Sequence, residues 1–164
     1  MDVTQLPMSG VRYDLVVDSF CLQGIVLDGD RKSVFQAVRA RLKPSGDYSI
    51  STAMYNLTCH HPADRIVDSV SGKVYHRYDG ACLFDPTSDV FYEPFSDSKY
   101  DHRLQESPGD YEGSSEIAGK WYLLTRRYRT AQGLRAELEA EGFNIVLQTD
   151  EFGENVLCKV ATDS

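Results

Sequence analysis

The first third of the chain contains two short strand-like runs on either side of a helical pattern. Residues 13–18, with the sequence YDLVVD, carry three consecutive apolar positions, which is typical of a strand covered on both faces. The next segment places Val34, Val38 and Leu42 four residues apart, as one face of a helix requires. Residues 48–53 then alternate between larger and small polar side chains, as a strand does. This order predicts two parallel strands joined by a helical crossover.

The ends of this helix are marked by residues with known terminal preferences. We expect Asp28 or Asp30 to cap its start, because a carboxylate there accepts backbone N–H groups that the first turn leaves unpaired. We expect Pro44 and Gly46 to stop the helix, since neither residue continues helical geometry well.

A second helix is predicted from the sequence TAQGLRAELEAEGF. Leu134 and Leu138 form its apolar stripe. Thr130 stands where an N-terminal cap is needed, and Gly142 is placed to end the helix.

The end of the chain predicts a hairpin. Residues 143–148 and 155–161 are two strand-like runs, and the turn between them contains Gly153. Such a short connection joins antiparallel strands.

The segment from about residue 56 to residue 124 has no long periodic run and is rich in Tyr, Asp, Ser, Pro and Gly. A short strand is expected at Lys73–Tyr78. Residues 85–112 contain eight acids and two bases, which gives a local charge of -6. Because a structureless loop of this length is unusual in a compact domain, we expect small strands or turns of its own.

The order of elements is strand, helix, strand, insert, helix and hairpin, which predicts an α/β fold whose sheet has an antiparallel end. We predict one domain over residues 1–164. Residues 1–54 and 122–164 are expected to form its α/β half, and residues 55–121 an inserted cap.

The net charge of the chain limits the classes of partner that are expected. The 164 residues include 25 acids and 17 bases, a formal net charge of -8. Nucleic acid is not expected as a partner, because phosphate binding needs a basic face. An acidic surface that occupies the basic groove of another protein is the functional alternative to simple solubility.

The cysteine spacing and the hydropathy of the chain indicate in which cellular compartment the protein is expected. The four cysteines are Cys21, Cys59, Cys82 and Cys158, and their spacing shows no CxxC pair and no tight disulfide framework. The sequence starts with a polar stretch rather than with a signal-peptide pattern. We therefore expect reduced thiols and a cytoplasmic protein. No apolar run approaches the roughly 18 residues of a membrane span, so no membrane association is expected.

One stretch, CHHPAD, is suggestive of metal binding. Its candidate ligands, with two more downstream, are Cys59, His60, His61, Asp64, His76 and Cys82. Adjacent histidines point apart in a strand, and neither a CxxC nor an HxxxH pair is present. We expect no metal here, and a loop with exposed or hydrogen-bonded imidazoles instead.

The insert is also rich in aromatic residues, among them Tyr55, Tyr75, Tyr78, Phe84, Phe91, Tyr92, Phe95, Tyr100, Tyr111, Trp121 and Tyr122. They fit a substrate pocket, packing of the insert, or an interaction surface. The one basic cluster, RRYR at residues 126–129, could take an anion, but an internal salt-bridge partner is the expectation.

Two sets of motifs together resemble a known family. In the first, an acidic residue and a short LP segment precede the first strand, and the helix ends in LKPSG before the next strand. In the second, LRAELEAEGFNIVLQ, a helix leads into a strand. Their order and spacing resemble the second half of class I S-adenosylmethionine (SAM)-dependent methyltransferases, over most of residues 2–54 and 122–161.

The resemblance implies a partial Rossmann-like methyltransferase sheet. The family order is 3-2-1-4-5-7-6, and this chain is expected to retain 4-5-7-6 with an acidic, aromatic insert. The family binds SAM chiefly through a Gly-rich turn after its first strand and an acidic residue that ends the second. No strand–GxG–helix unit precedes Tyr13. We therefore expect SAM as a cofactor only if a partner or an upstream segment supplies the missing half.

The resemblance also carries the candidate cofactor-binding residues. Asp2 resembles the acidic position near the adenine, and Asp18 and Ser19 resemble the loop beside the transferred methyl group. Relatives often carry a histidine near Gln23, and its absence argues against an acid–base role there. No catalytic residue is assigned. Without the cofactor half, Asp18 is better explained as a turn-capping residue at a strand end.

Removing the first three strands would turn Tyr13–Asp18 into an edge strand with unpaired backbone groups. We expect either a homodimer joined near this strand or a partner that supplies the missing half.

The resulting prediction is a methyltransferase-like domain that neither binds SAM nor methylates alone. The alternative is a non-enzymatic binding or inhibitory protein, whose acidic, aromatic insert engages a basic protein partner. A third possibility is a small enzyme that uses the cluster from Cys59 to His76.

Overall fold

The structure is a computed structural model in which the chain divides into two compact units. The first comprises Met1–Asn56 and Arg129–Ser164, and the second comprises Leu57–Tyr128. The residues that the structure describes are 5, 7, 10–53, 55, 64–78, 80–95, 107–149 and 155–161.

The described residues form ten strands and two α-helices, which confirms the mixed α/β class. In chain order the strands are β1 (Tyr13–Ser19), β2 (Leu42–Ser51), β3 (Arg65–Val67), β4 (Val74–Tyr78), β5 (Cys82–Asp85), β6 (Val90–Pro94), β7 (Ser114–Ile117), β8 (Lys120–Arg127), β9 (Phe143–Gln148) and β10 (Asn155–Val160). The helices are α1 (Asp28–Arg41) and α2 (Ala131–Ala140). Neither helix is long and apolar enough to cross a membrane.

The first unit is built on a four-stranded sheet in the order β1-β2-β10-β9. Strands β1 and β2 are parallel, and α1 connects them, as the sequence pattern predicted. Strand β10 is antiparallel to both of its neighbours, β2 and β9, so the predicted hairpin is also confirmed.

The start of α1 differs from the prediction. Its N-cap is Leu27, which makes no side-chain cap bond, so the expectation of a cap at Asp28 or Asp30 was wrong. Both carboxylates lie in the first helical turn instead, where they interact favourably with the helix dipole.

The end of α1 also differs. The helix ends at Arg41, before Pro44 and Gly46, and Leu42 already has extended backbone angles. Proline restricts the residue before it to extended geometry, which explains why this segment joins β2. Gly46 is buried where the register of β1 and β2 shifts, and a Cβ there would lie 2.9 Å from the Tyr13 carbonyl oxygen.

One face of the four-stranded sheet carries both helices. The rings of Phe35 in α1 and Phe143 in β9 have centroids 6.4 Å apart, and Tyr48 in β2 lies 5.6 Å from Phe143. The apolar stripes that predicted α1 and α2 are buried in this core.

The opposite face of the same sheet is open. Across it, Val17 of β1 lies beside Ser49, Ser49 beside Leu157, and Leu157 beside Leu147 of β9. Val17 is 61% exposed and Leu147 is 57% exposed. Within the described part of the chain, the side chains of Val17 and Leu147 on this face are thus left largely uncovered.

Helix α2 has the predicted ends. The Thr130 hydroxyl accepts a hydrogen bond from the Gly133 N–H at 3.0 Å, as an N-cap does. Gly142 follows the last turn with φ +83°, a left-handed conformation that favours glycine.

The second unit is a six-stranded antiparallel sheet in the order β3-β4-β5-β6-β8-β7. The inserted segment therefore has strands of its own, as expected, and β4 occupies the predicted Lys73–Tyr78 run. Residues 122–127, assigned above to the α/β half, lie in β8 and pair with β6 and β7. The boundary of the second unit thus falls at Tyr128 rather than at residue 121.

Candidate functional site

The carboxyl end of β1 carries a buried carboxyl group, Asp18, which is 8% exposed. Its Oδ1 accepts hydrogen bonds from the backbone N–H groups of Cys21 at 2.9 Å and Leu22 at 3.3 Å. Burial raises the pKa of Asp18, although these hydrogen bonds and the charge of Arg31 act in the opposite direction. Tyr48 is close enough for the Asp18 charge to add to the burial that raises the pKa of its hydroxyl.

Arg31 fixes the loop that follows Asp18. Its Nη1 donates to the carbonyl oxygens of Leu22 at 2.7 Å and Ile25 at 3.0 Å. Its Nε and Nη2 donate to the two carboxylate oxygens of Glu137, both at 2.6 Å. A buried guanidinium therefore joins α1, α2 and the loop after β1 into one rigid arrangement.

The sequence carries a signal for this ion pair. Arg31 precedes Val34 and Phe35 by three and four residues, so it lies on the apolar face of α1. A cation on such a face is stable only with a partner, and Glu137 takes the same kind of position in α2, next to Leu138. Arg129 Nε also lies 3.6 Å from Glu137, so the internal partner expected for the RRYR cluster is present for this arginine.

The loop itself is strained at Phe20, whose φ is +59°. Its N–H donates to the Ser51 carbonyl oxygen at 2.7 Å, which holds this conformation against the end of β2. A left-handed conformation is unfavourable for a residue other than glycine and is found more often at functional sites. The turn leaves the Phe20 ring half exposed beside the exposed Cys21.

Gln23 ties this loop to the end of the neighbouring strand. Its Oε1 accepts a hydrogen bond from the Ala53 N–H at 3.1 Å, and Thr52 beside it is buried. The Gln23 side chain thus positions the loop after β1, close to the place where relatives often carry a histidine. The carboxyl ends of β1 and β2 form one continuous edge, the usual ligand-binding position in parallel α/β sheets.

Two of the three candidate cofactor residues, Asp18 and Ser19, are neighbours in the chain and lie at the carboxyl end of β1. Asp18 is buried and Ser19 is exposed at the end of β1. Asp2 lies outside the described residues. At this edge Asp18 therefore offers a fixed, hydrogen-bonded carboxyl group with a raised pKa, and Ser19 offers an exposed hydroxyl on the opposite face of the strand. Each group can hydrogen-bond a polar ligand on its own side of the sheet.

An open cavity of about 570 Å³ in the first unit lies at the other end of these strands. It is lined by Arg12, Arg39, Lys43 and apolar residues that include Leu42 and Val160. This cavity lies at the amino ends of β1 and β2, beside the last turn of α1 and the end of β10, away from Asp18. We place the candidate site at the carboxyl edge, because that edge holds the strained loop and the buried carboxyl group.

The metal-like cluster of the sequence is only partly described. Cys59, His60 and His61 lie outside the described residues. His76 pairs across from Phe84, and Cys82 across from Tyr78. Among the residues that can be described, no group of three or more potential metal ligands occurs.

Several aromatic residues of the insert pack against one another within the second unit. Phe91 has ring centroids 4.6 Å from Phe84, 4.8 Å from Tyr78 and 4.8 Å from Tyr128. Phe84 and Phe91 are buried, which favours the packing interpretation for these two.

Part of the insert's negative charge is also used internally. Asp85 is buried and accepts hydrogen bonds from the Thr87 N–H at 2.8 Å and the Ser88 hydroxyl at 2.9 Å. Lys73 Nζ lies 3.8 Å from it. This carboxylate holds the turn between β5 and β6, so it does not contribute to an acidic docking surface.

Exposed acids occur in the segments that pack around the single tryptophan, Trp121. Glu116 of β7 lies across from Trp121 of β8, and the Trp121 ring packs on Gly109. Asp110 and Glu112 are exposed in the segment that leads into β7. These residues form what we call the acidic tryptophan patch.

Comparisons with known proteins identify the fold. No family model matches the chain, and no curated protein matches it. Among solved structures, the CcbJ methyltransferase from Streptomyces caelestis is similar over 99% of this chain and 62% of its own, with 13% identity and a TM-score of 0.58. An S-adenosylmethionine-dependent methyltransferase from Clostridium acetobutylicum is similar over 99% and 63%, with 13% identity and a TM-score of 0.55. DhpI in complex with SAH is similar over 99% and 54%, with 12% identity and a TM-score of 0.52.

At these identities the likeness concerns the fold. The chain has a mixed α/β fold similar to that of these solved structures, and it spans less than two thirds of their length.

Proposed function

We propose that this chain is the acceptor-side half of a SAM-dependent methyltransferase fold, and that it binds SAM only together with a complementary cofactor-binding segment. One observation carries the proposal: antiparallel β10 lies between β2 and β9, next to a parallel β1–α1–β2 unit. We equate this order with strands 4-5-7-6 of the family.

The proposed site follows from that correspondence. The loop of Asp18 and Ser19 would border the methyl group that SAM supplies. Asp18 would hold a hydrogen-bonding group of SAM, because the fixed loop leaves its carboxyl group little freedom to turn away.

The complementary segment would add a strand beside β1. Support comes from the exposed apolar residues of the open sheet face, since parallel α/β sheets normally carry helices on both faces. Either an upstream segment or a separate chain would satisfy this requirement.

Calorimetry with SAM tests the proposal. We expect the 164-residue chain alone to give no binding heat, and the protein purified from its source with its associated polypeptides to bind SAM. Asp18→Ala should weaken binding in that preparation, and Arg135→Ala, an exposed substitution, should not. Micromolar affinity of the chain alone would overturn the need for a complementary segment. A source preparation that fails to bind SAM would overturn the methyltransferase assignment.

The acidic tryptophan patch favours a second candidate, a binding or inhibitory protein for a basic partner. Its exposed acids lie close to a partly exposed indole, a combination suited to basic side chains. Trp121 fluorescence should change when a lysine-rich peptide is added at low salt, and Glu112→Gln with Glu116→Gln should remove the change. An unchanged spectrum, or a response that survives both substitutions, would contradict this candidate.

A further inference from the structure

The amino ends of β1 and β2 pair irregularly, and the cavity described above lies at this irregularity. The ladder between the two strands leaves residues 43–46 of β2 opposite Asp14 alone. Because four residues cannot all pair with one, this segment bulges away from β1. Lys43 and Pro44 of the bulge line the cavity, together with residues of α1 and the end of β10.

Much of the cavity lining is apolar. Leu42 is buried in the core of the first unit, and Val160 packs against the same core. Ala40 and Ala161 add further apolar surface. The volume of about 570 Å³ lies within the roughly 300–1,000 Å³ that small-molecule sites occupy. The cavity is therefore large enough for a small organic molecule with an apolar part.

The charged part of the lining is entirely cationic. The described residues that line the cavity include Arg12, Arg39 and Lys43 but no acid, in a chain whose net charge is -8. The Lys43 ammonium group already pairs with Asp14 at 2.8 Å. Arg12 and Arg39 form no ion pair with any residue that the structure describes. Two guanidinium groups are thus available to an anion.

The guanidinium group of Arg39 packs on the backbone of Gly142. A Cβ at Gly142 would lie 2.7 Å from Arg39 Nη1, so only a glycine leaves room for this arrangement. The Gly142 carbonyl oxygen accepts a hydrogen bond from the N–H of Ala161, which lines the cavity. A side chain that already packs against the backbone loses less freedom when it binds a ligand.

We propose that this cavity binds a small carboxylate that carries an aliphatic chain. The carboxylate would pair with the guanidinium groups of Arg12 and Arg39, since a guanidinium matches a carboxylate with two parallel N–H donors. The aliphatic chain would lie against Leu42 and Val160, where it removes apolar surface from water. A small inorganic anion would leave the apolar lining unused, and a neutral hydrocarbon would leave the cations unused.

This site is independent of the proposed function. It lies at the opposite end of β1 and β2 from Asp18, and its test needs only the 164-residue chain. A failure to bind SAM would leave this inference standing, and a failure to bind the carboxylate would leave the methyltransferase proposal standing.

The first experiment compares three probes by calorimetry at low salt: octanoate, 1-octanol and acetate. We expect saturable binding of octanoate to one site. The affinity for 1-octanol should be about fivefold lower, because it lacks the charge, and acetate should give no measurable binding, because it lacks the chain. Absence of saturable octanoate binding at millimolar concentration, or equal affinity for 1-octanol, would overturn the proposal.

The second experiment tests the cations. Arg12→Gln and Arg39→Gln should each weaken octanoate binding about fivefold, with unchanged circular dichroism spectra. The matched control is Arg135→Gln, which removes an exposed cation of α2 that does not line the cavity. This variant should bind octanoate as the wild type does. Equal losses in all three variants, or no loss at Arg12 and Arg39, would contradict the assigned site.

The third experiment separates the cavity from the open face of the sheet, which is also apolar. Ala40→Phe retains all three cations but fills the cavity, and it should abolish octanoate binding. Val17→Asp places a negative charge on the open face, where Val17 is 61% exposed, and it should leave octanoate binding unchanged. Binding that survives Ala40→Phe, or that is lost in Val17→Asp, would place the ligand elsewhere and overturn the proposal.

Discussion

The guanidinium of Arg31 and the carboxylate of Glu137 form a two-point ion pair with both distances at 2.6 Å, across 106 positions of sequence. The pair joins α1 to α2. Because the same guanidinium also bonds to the Leu22 carbonyl oxygen, it fixes the loop that Asp18 begins. The most buried charge of the first unit is thus the group that shapes its candidate site.

Removing one partner of this pair should be strongly destabilising. Arg31→Met leaves Glu137 without its main counter-charge, so we expect a loss of roughly 3 kcal/mol in the free energy of unfolding. Glu137→Gln should lose less, since the amide oxygen still accepts one hydrogen bond. Urea denaturation at neutral pH measures both.

The control for this prediction is the exposed pair of Arg135 and Glu139, which are 3.6 Å apart on α2. Arg135→Ala should change the free energy of unfolding by no more than about 0.5 kcal/mol. Equal losses for Arg31→Met and Arg135→Ala would contradict the structural role of the buried pair.

The stability that the Asp18 carboxyl group contributes should decrease as pH rises. Burial raises its pKa in the folded state, so the folded protein holds this proton more tightly than the unfolded chain does. Stability from this group is present below the ordinary pKa of 3.8 and is lost as pH rises through the folded value. Asp18→Asn keeps an acceptor oxygen but removes the titration. It should therefore gain stability relative to wild type as pH rises from 3.5 to 7.

A comparison of Asp18→Ala with Asp18→Asn separates the effect of the charge from that of the hydrogen bonds, because alanine removes both and asparagine keeps an acceptor oxygen. Asp18→Ala leaves the N–H groups of Cys21 and Leu22 without their acceptor, and we expect a loss of about 1–2 kcal/mol at neutral pH. Urea denaturation of both variants over the pH range provides the comparison. A parallel pH dependence in Asp18→Asn and wild type would refute the titration argument.

Two glycines should respond to alanine in opposite directions. Gly142 has φ +83°, and a Cβ there would lie 2.7 Å from Arg39 Nη1, so Gly142→Ala should cost about 1–2 kcal/mol. Gly29 lies in α1 with open space around it, so Gly29→Ala should add about 0.5 kcal/mol. Thermal unfolding of both variants measures the difference, and a shift of the same sign in both would count against the described backbone.

Asp68 should stabilise the second unit above acidic pH. Hydrogen bonds from the Ser71 hydroxyl and N–H and from the Ala118 N–H lower the pKa of Asp68 to about 2. A lowered pKa gives stability that is present above the ordinary value of 3.8 and is lost as pH falls toward about 2. Asp68→Asn should thus be less stable than wild type at neutral pH, with a difference that shrinks below pH 4.

The comparison for this prediction is Asp64→Asn, because the Asp64 side chain is 72% exposed and lies 3.9 Å from Arg77. It should follow the wild-type curve throughout. Acid titration of unfolding, monitored by tyrosine fluorescence, would show whether Asp68 makes a pH-dependent contribution to stability that Asp64 does not make. Identical curves for the two variants would argue that it is not.

The sequence by itself determined the elements whose signals are local. The apolar stripes of α1 and α2, the cap at Thr130, the parallel pair β1 and β2 and the final hairpin all follow from spacing within one segment. The start of α1 was missed because a cap depends on backbone angles at a single residue, Leu27, and several neighbouring residues could have met the sequence rule.

Only the tertiary structure decided the rest. The strands of the insert are short, and the residues of β6 pair with residues of β8 that follow 28 to 37 positions later, so no local period reveals their sheet. The pairing of Arg31 with Glu137 and the left-handed Phe20 likewise depend on groups brought together by folding. Local periodicity fixes which residues face a core, whereas long-range contacts fix which core they share and which strand is left at the edge.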